Sequence, residues 1–442
     1  MLPYTEFYSQ LFKNYGVDPF TLKKTEDWHE KGLPLIKKIT YMKNPKDFVV
    51  KPDKKTIAKN FMEYLDSQDE YGEAIHFLLT SKEQTLKEYY TPKMLVFSGG
   101  TESGNPTPVM LTTTQKLNTM MAILKITGEI INFDADKKIG MNLFPYAPHL
   151  GWHAVHHALD INADLNLCTA AGGAMPTERL VALADKTKPN IICGMSDYLR
   201  NRFLPMAIQK KITLPEKVLF VNGAQKMHEP ERQKIAQLAK KLGVQQTIVL
   251  DLYAASELKE ALMPECKPGS GFHHIAPLST IIKTVKINKT EQEHITEWEF
   301  AENGYAASWN IDGAGTLLAG YLIGDRYDKV VNEKCQNCQL NVTRIYGVNR
   351  IKDVEAQLKL TGMIEEKVKG TRVNLSAIRE AALSLPEVKE AQVVLKKNRI
   401  ELYYVSDRKI KQKLEKMFAG AEIKPKIIQT TLEKITGIKL RA

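Results

Sequence analysis

No uninterrupted apolar run in this 442-residue chain approaches the ~18 residues of a membrane span. The N-terminus carries Glu6 and no basic start ahead of an apolar core, so it does not read as a signal peptide, and a cytoplasmic protein without membrane attachment is expected. Cysteine is scarce: there are five, an odd number, with Cys168 and Cys193 in apolar surroundings, so no disulfide framework is expected. No internal repeat or low-complexity tract is visible. Basic residues nowhere form a run interleaved with aromatics, and no helix or zinc-finger signature is present, which argues against nucleic acid as a partner. Even the glycine-rich stretch Gly99–Gly104 departs from GxxxxGK[ST], because no lysine follows Gly104.

What is present fits a soluble globular protein, with 43% apolar and 26% charged residues. The net charge of +11 comes from lysines spread along the chain and thickening after residue 400. It reads as a solvated surface, with affinity for a polyphosphate or an acidic carrier protein as the alternative. At this length one core does not suffice, and a large domain of two subdomains plus a smaller one is expected.

The middle of the chain alternates helix and strand signals. A helix from Thr177 to Asp185 precedes the apolar strand Ile191-Ile192-Cys193; Val218 to Val221, a helix from Glu229 to Leu242 and the strand Thr247 to Leu252 follow. This alternation predicts a parallel, doubly wound α/β sheet whose ligands sit at the carboxyl ends of the strands. Gly223, Ala224, Gln225 and Tyr253–Glu257 fall on those ends. From Trp298 to Tyr321 the pattern turns strand-like, with Gly313, Gly315 and Gly320 as turn signals, predicting a β-rich subdomain. A boundary near Gly347 divides residues 1–347 from 348–442. The second part reads as a compact α+β unit, with strands at Lys367–Leu375, Ala391–Leu395 and Ile400–Val405 and helices at Ser376–Leu385 and Lys409–Phe418.

The most informative stretch is Phe97-Ser98-Gly99-Gly100-Thr101-Glu102-Ser103-Gly104-Asn105-Pro106-Thr107, just after the apolar run Met94 to Phe97. Glycines let backbone N–H groups approach an anion, and Ser98, Thr101 and Ser103 add uncharged donors. Taken alone, such a turn is also compatible with an ordinary surface loop. Further along, Tyr253-Ala254-Ala255-Ser256-Glu257 is followed by Glu265-Cys266, then Gly324-Asp325, then Lys367–Asn374 (KVKGTRVN). Near the start lie Phe7–Pro19 and Leu33–Lys37. Together, in this order and over nearly the whole chain, these stretches resemble the adenylate-forming ligase superfamily, and within it the phenylacetate-CoA ligase branch.

The resemblance implies a large N-terminal adenylation domain with a small mobile α+β lid. It also implies a reaction in which a carboxylate attacks the α-phosphate of ATP and the acyl-adenylate passes to a thiol. Ser98, Gly99, Gly100, Thr101, Ser103 and Gly104 would hold the β- and γ-phosphates. Glu257 would bind Mg²⁺, Tyr253 would stack on adenine, Ala255 and Ser256 would line the nucleotide with Gly223, Ala224 and Gln225, and Asp325 would accept the ribose hydroxyls. Ala254 stands where the family has glycine. Two registers fit the hinge: Arg350-Ile351-Lys352-Asp353, with Lys352 as hinge and Arg350 near the phosphate, is preferred over Gly362-Met363-Ile364-Glu365, which has no arginine. Lys439 is the choice for the adenylation lysine, with Lys434 in reserve.

Two further constellations stand apart. Cys335-Gln336-Asn337-Cys338 is a CxxC knuckle, and Cys266 with His273 or His274 would complete a tetrahedral, structural zinc site; a redox CxxC and free surface thiols are the alternatives. Phe144, Tyr146, Trp152 and His153, with Thr169–Met175, supply aromatics and glycines for a flat aryl slot, although the rings would equally serve as core. The expected function is an AMP-forming ligase joining an aryl or arylalkyl carboxylic acid to CoA. Transfer to a carrier protein or an amine is the rival acceptor chemistry, and a non-catalytic nucleotide-binding protein on the same fold is the rival class. A homodimer is the assembly considered.

Overall fold

Within the strand Ile191–Cys193, Ile192 enters one apolar cluster while Ile191 and Cys193 enter another, because successive side chains leave opposite faces of a strand. Lys217–Asn222 repeats the division, with Val218 and Phe220 on one side and Leu219 and Val221 on the other. Both faces of such a sheet need cover. The computed structural model describes residues 1–52, 90–98, 107–113, 120–146, 150–224, 226–259, 262–277, 279–289, 294–350, 365–368, 371–396, 399–419 and 424–437.

The sheet comprises β1 (Ile139–Asn142), β2 (Leu165–Leu167), β3 (Ile191–Cys193), β4 (Lys217–Asn222), β5 (Gln246–Tyr253) and β6 (Met263–Pro264), in the order β2-β1-β3-β4-β5-β6. The first five are parallel and β6 is antiparallel to β5. Helix α1 (Leu150–Asn162) covers one face through Val155 and Leu159. Helices α2 (Thr177–Thr187) and α3 (Glu229–Lys240) cover the other through Leu180, Val181, Ala184, Ile235 and Ala239. The doubly wound α/β reading is therefore correct. Cys168, by contrast, is exposed rather than set in apolar surroundings.

A second, largely antiparallel sheet contains β7 (Thr280–Lys289), β8 (Glu297–Phe300), β9 (Gly304–Asn310) and β10 (Ala319–Tyr327). The short strand Leu35–Ile36 joins it parallel to β10. The N-terminal helix Glu6–Tyr15 packs against this sheet, and the Tyr8 hydroxyl donates to the Ala319 carbonyl at 2.9 Å while accepting from its N–H at 2.6 Å. A third apolar cluster bridges the sheets, joining Tyr253 and Met263 of the first to Ile323 and Tyr327 of the second.

The C-terminal unit has its own core, drawn from α4 (Leu375–Leu383), β11 (Glu390–Lys396), β12 (Arg399–Val405), α5 (Lys411–Met417) and β13 (Lys426–Gln429). Strand β12 pairs antiparallel with β11 and parallel with β13. One expectation needs correction here. Lys367–Leu375 is not a single strand: Glu365–Val368 and Thr371–Asn374 pair antiparallel with each other, Glu366 opposite Val373 and Lys367 opposite Arg372. Gly370 falls between the two paired segments, and a glycine inside a strand weakens it.

Candidate functional site

The glycine-rich stretch begins at the end of a hairpin, where Met94–Phe97 pairs with Pro108–Leu111. Ser98 closes the hairpin: its N–H donates to the Thr107 carbonyl and its Oγ accepts from the Thr107 N–H, both at 2.9 Å. Gly99, Gly100, Thr101, Ser103 and Gly104 lie outside the described residues. The Ser256 hydroxyl lies 3.5 Å from the Phe97 carbonyl, bringing the turn that carries Glu257 to the entrance of that loop.

Glu257 sits in the single 3-10 turn Ser256–Leu258 just past β5. Its side chain is buried at 2% exposure, and Oε2 has no hydrogen-bond partner among the described residues. A buried carboxylate oxygen without a donor is costly unless a cation or a ligand fills the place. Asn310 Nδ2 donates to the Glu257 carbonyl at 3.3 Å and fixes the turn. Two residues on, Lys259 adopts φ +55° and buries its ammonium against both Asp312 oxygens at 2.7 Å and the Ala314 carbonyl at 2.9 Å. Tyr41 faces the same region. Burial pushes its hydroxyl pKa up, a hydrogen bond with Thr316 opposes this, and the Glu257 charge adds to the rise.

At the carboxyl end of β4, a Cβ on Gly223 would lie 3.3 Å from the Phe144 ring, closer than most side chains tolerate, and 3.6 Å from the Leu252 carbonyl, an ordinary contact. Ala224 follows in the left-handed region at φ +63°, a strained place for a non-glycine residue; Gln225 lies outside the described residues. Asn222 and Asp251 hold this corner from below. Asn222 Nδ2 donates to Asp251 Oδ1 at 2.6 Å, the Met227 N–H reaches Asp251 Oδ2 at 3.3 Å, and Asn222 Oδ1 accepts from the Ser196 N–H at 2.7 Å. Burial raises the Asp251 carboxyl to about 7 against these donors, with the Glu265 charge adding.

Tyr253 ends β5 buried, and its hydroxyl donates to Asp325 Oδ2 at 2.6 Å and meets the Tyr327 hydroxyl at 3.0 Å. Arg350 is the cross-strand partner of Asp325, so three residues named from the sequence converge through β5, β10 and the strand Asn349–Arg350. Ala255 is buried beside Tyr253. Lys352 and Lys439 lie outside the described residues; Lys434, on the helix Leu432–Gly437, is exposed.

The aryl-slot residues divide. Phe144 belongs to the core with Val155, Cys193 and Leu250, its ring edge against Gly223. Tyr146 is 60% exposed and meets Trp152 edge-on at 4.8 Å and His153 at 6.0 Å. The two sequence stretches do come together: Pro145 bridges Ala171, and the Trp152 indole donates to the Thr169 carbonyl at 3.2 Å.

The cysteine and histidine ligands also converge. Cys266 Sγ lies 3.8 Å from Cys335 Sγ, Cys338 Sγ lies 3.3 Å from His273 Nε2, and all four atoms fall within 4.8 Å of one another. Tetrahedral zinc with bonds of ~2.3 Å to sulfur and ~2.05 Å to nitrogen has edges of about 3.8 and 3.6 Å, so the cage has the size of the ion. His273 Nδ1 is held by the Pro264 carbonyl at 3.1 Å, which aims Nε2 at the thiols. His274 is not a ligand: its Nε2 contacts the Thr280 carbonyl at 2.7 Å. Burial works against the Cys335 thiolate, yet the backbone amides of Cys338 and Asn337, with His273, bring its pKa down to about 6. Burial pushes Cys266 up to about 11.

Tyr41, Asn222, Asp251, Lys259 and Tyr327 were not anticipated. Only Tyr327 had a sequence signal, since it shares a strand face with Asp325 two residues before it.

No family model and no curated protein matches the chain. Among solved structures it is similar to 2-hydroxyisobutyryl-CoA ligase in the postadenylation state in complex with R3-HIB-AMP, with a TM-score of 0.66 over 97% of this chain and 82% of that one at 12% identity. The chain has the fold of this ligase. The same ligase in complex with 2-HIB-AMP and CoA in the thioesterification state gives a TM-score of 0.54 over the same shares at 13% identity. An ATP-bound RpMatB-BxBclM chimera gives 0.52 over 77% of this chain and 65% of that one at 13% identity. In this fold the Tyr253–Asp325 pair links the two sheets, and the turn carrying Glu257, which follows Tyr253, reaches the hairpin that ends at Ser98. No helix among the described residues is long and apolar enough to cross a membrane.

Proposed function

We propose that this chain is an AMP-forming acid:thiol ligase that activates an aryl or arylalkyl carboxylate with ATP and delivers it to CoA, as its resemblance to the phenylacetate-CoA ligase branch implies. The observation that carries this reading is Glu257, a buried carboxylate whose Oε2 has no partner among the described residues, tied through Ser256 to the entrance of the glycine-rich loop. Mg²⁺ bound there would counter the charge of the phosphate oxygens. Glu257 offers the oxygen ligand, and the amides and hydroxyls of residues 98–104 hold the phosphates. Asp325, oriented by Tyr253, accepts the ribose hydroxyls. Arg350 and Lys439 supply positive charge to the α-phosphate region, Lys352 is the hinge, and Tyr146, Trp152 and His153 line the acid slot. The better superposition on the postadenylation than on the thioesterification form of 2-hydroxyisobutyryl-CoA ligase supports assigning the present orientation of the C-terminal unit to the first half-reaction. Cys266, His273, Cys335 and Cys338, whose ligand atoms all lie within 4.8 Å of one another, would hold a structural zinc ion.

A panel of carboxylic acids scored for pyrophosphate release tests the reading. Acid-dependent release that needs Glu257, followed by a CoA thioester, is expected. Exchange of pyrophosphate into ATP with no thioester product would assign the acyl group to another acceptor. Silence across a broad panel would overturn the enzymatic reading.

A further inference from the structure

Five charged groups lie where the C-terminal unit meets the rest of the chain. Arg200, in the π-helical turn Leu199–Phe203 after β3, is fully buried. Its Nη2 contacts Asp197 Oδ1 at 2.5 Å, Glu231 Oε1 at 2.9 Å and, across the junction, Glu390 Oε2 at 2.8 Å. Its Nη1 reaches the Lys389 carbonyl at 3.2 Å. Arg379 on α4 answers from the other side, with Nη2 at 3.1 Å from both Glu231 Oε1 and Glu390 Oε1. Asn201 Nδ2 donates to Glu390 Oε2 at 2.9 Å, and Lys234 on α3 donates to the Val388 carbonyl. Each unit therefore supplies one arginine and one glutamate to a shared cage. Burial disfavours the Glu390 carboxylate, but Arg200 and Arg379 prevail and hold its pKa at about 2.

The surroundings matter as much as the cage. No apolar cluster among the described residues joins the two units: every member of the C-terminal core lies between residues 378 and 427, and no other cluster draws on that range. A junction made of apolar contacts would hold by area alone. One made of paired charges is held by geometry, since the charges regain water on separation and the docked and separated forms stay close in free energy.

We propose that Arg200 is a positioning residue that latches the C-terminal unit, through Glu390, in the orientation for adenylate formation and releases it for thiol transfer. This rests on the ligase reading above. Neither Arg200 nor Glu390 is among the residues assigned above to nucleotide or acid; they act by setting where the C-terminal unit stands.

The two half-reactions are to be measured separately, as acid-dependent exchange of pyrophosphate into ATP and as CoA thioester formation from supplied acyl-adenylate. Arg200→Met is expected to slow exchange about tenfold and leave thioester formation within about twofold. Glu390→Gln, which preserves side-chain volume, is expected to reproduce that split from the opposite side. The double variant should be no slower than the slower single one, as for residues of one contact. Equal loss in both half-reactions, or additive losses in the double variant, would overturn the latch. Small-angle scattering provides a readout that needs no turnover: an increased radius of gyration is expected for both variants, and an unchanged radius in both refutes the latch. A wild-type chain inactive toward every acid would instead count against the ligase reading.

Discussion

The Tyr253 hydroxyl donates to Asp325 Oδ2 at 2.6 Å, joining the carboxyl end of one sheet's strand to the middle strand of another, 72 residues along the chain. Burial first, then the Asp325 charge, pushes the tyrosine pKa well above its ordinary value, so it remains a donor throughout any working pH range. Asp325 is itself 2% exposed. Removing the donor leaves a buried carboxylate short of a partner, which costs about 1–3 kcal/mol. Tyr253→Phe is expected to lower stability by that amount in urea unfolding and to raise the KM for ATP more than that for the acid. An equal rise in both would detach the pair from the nucleotide.

Glu257 should behave in the opposite sense. A buried oxygen with no partner among the described residues costs stability in the free protein, so Glu257→Gln is expected to leave the melting temperature unchanged or raise it. Acid-dependent pyrophosphate release should fall by about 100-fold or more, the scale of losing a group that stabilises transition-state charge. A stable variant with full activity would remove Glu257 from the chemistry.

The zinc assignment makes its own demand. Protein purified without chelator should hold one equivalent of zinc, and Cys335→Ser should lose it together with several degrees of thermal stability. Because binding displaces protons from thiols such as Cys266, whose pKa lies at about 11, zinc affinity is expected to rise with pH in competition titrations. Metal analysis returning no zinc in folded protein would leave the cage as free thiols.

Much of this was legible in the sequence, for identifiable reasons. Ile191–Cys193 and Lys217–Asn222 are short, apolar throughout and flanked by helix-period segments, so burial on both faces dictates their state. The CxxC spacing and Cys266 converged because the strand Phe272–His273 pairs with Arg344–Tyr346, placing His273 opposite Arg344 a few residues past the knuckle. The choice between His273 and His274 was beyond sequence, since adjacent residues on a strand leave opposite faces and only the pairing reveals which face meets the thiols. Arg200, Glu231, Arg379 and Glu390 gave no signal at all, because each is an ordinary surface residue type until two distant segments bury it. Phe144, for which the sequence left slot and core both open, packs in the core cluster that also holds Cys193 of β3 and Val221 of β4.

Asp251 provides a pH test of the corner that carries Gly223 and Ala224. Burial, reinforced by Glu265, raises its carboxyl from 3.8 to about 7 despite hydrogen bonds from Asn222, Leu252 and Met227. A pKa raised in the folded state means that folding takes up a proton. The associated stability is present in full below the unfolded value and is lost as pH climbs from about 4 to 7, then stays flat. A rise of that size corresponds to at most ~4 kcal/mol over that window. In Asp251→Asn no titration occurs at this position, so the difference in unfolding free energy between variant and wild type separates Asp251, with its coupling to Glu265, from the remaining carboxylates. That difference is expected to move steadily in favour of the variant between pH 4 and 7 and to level off above. Parallel profiles across the range would mean that Asp251 is ionised in the folded protein at neutral pH, and that the Asn222 amide holds a carboxylate rather than a carboxylic acid.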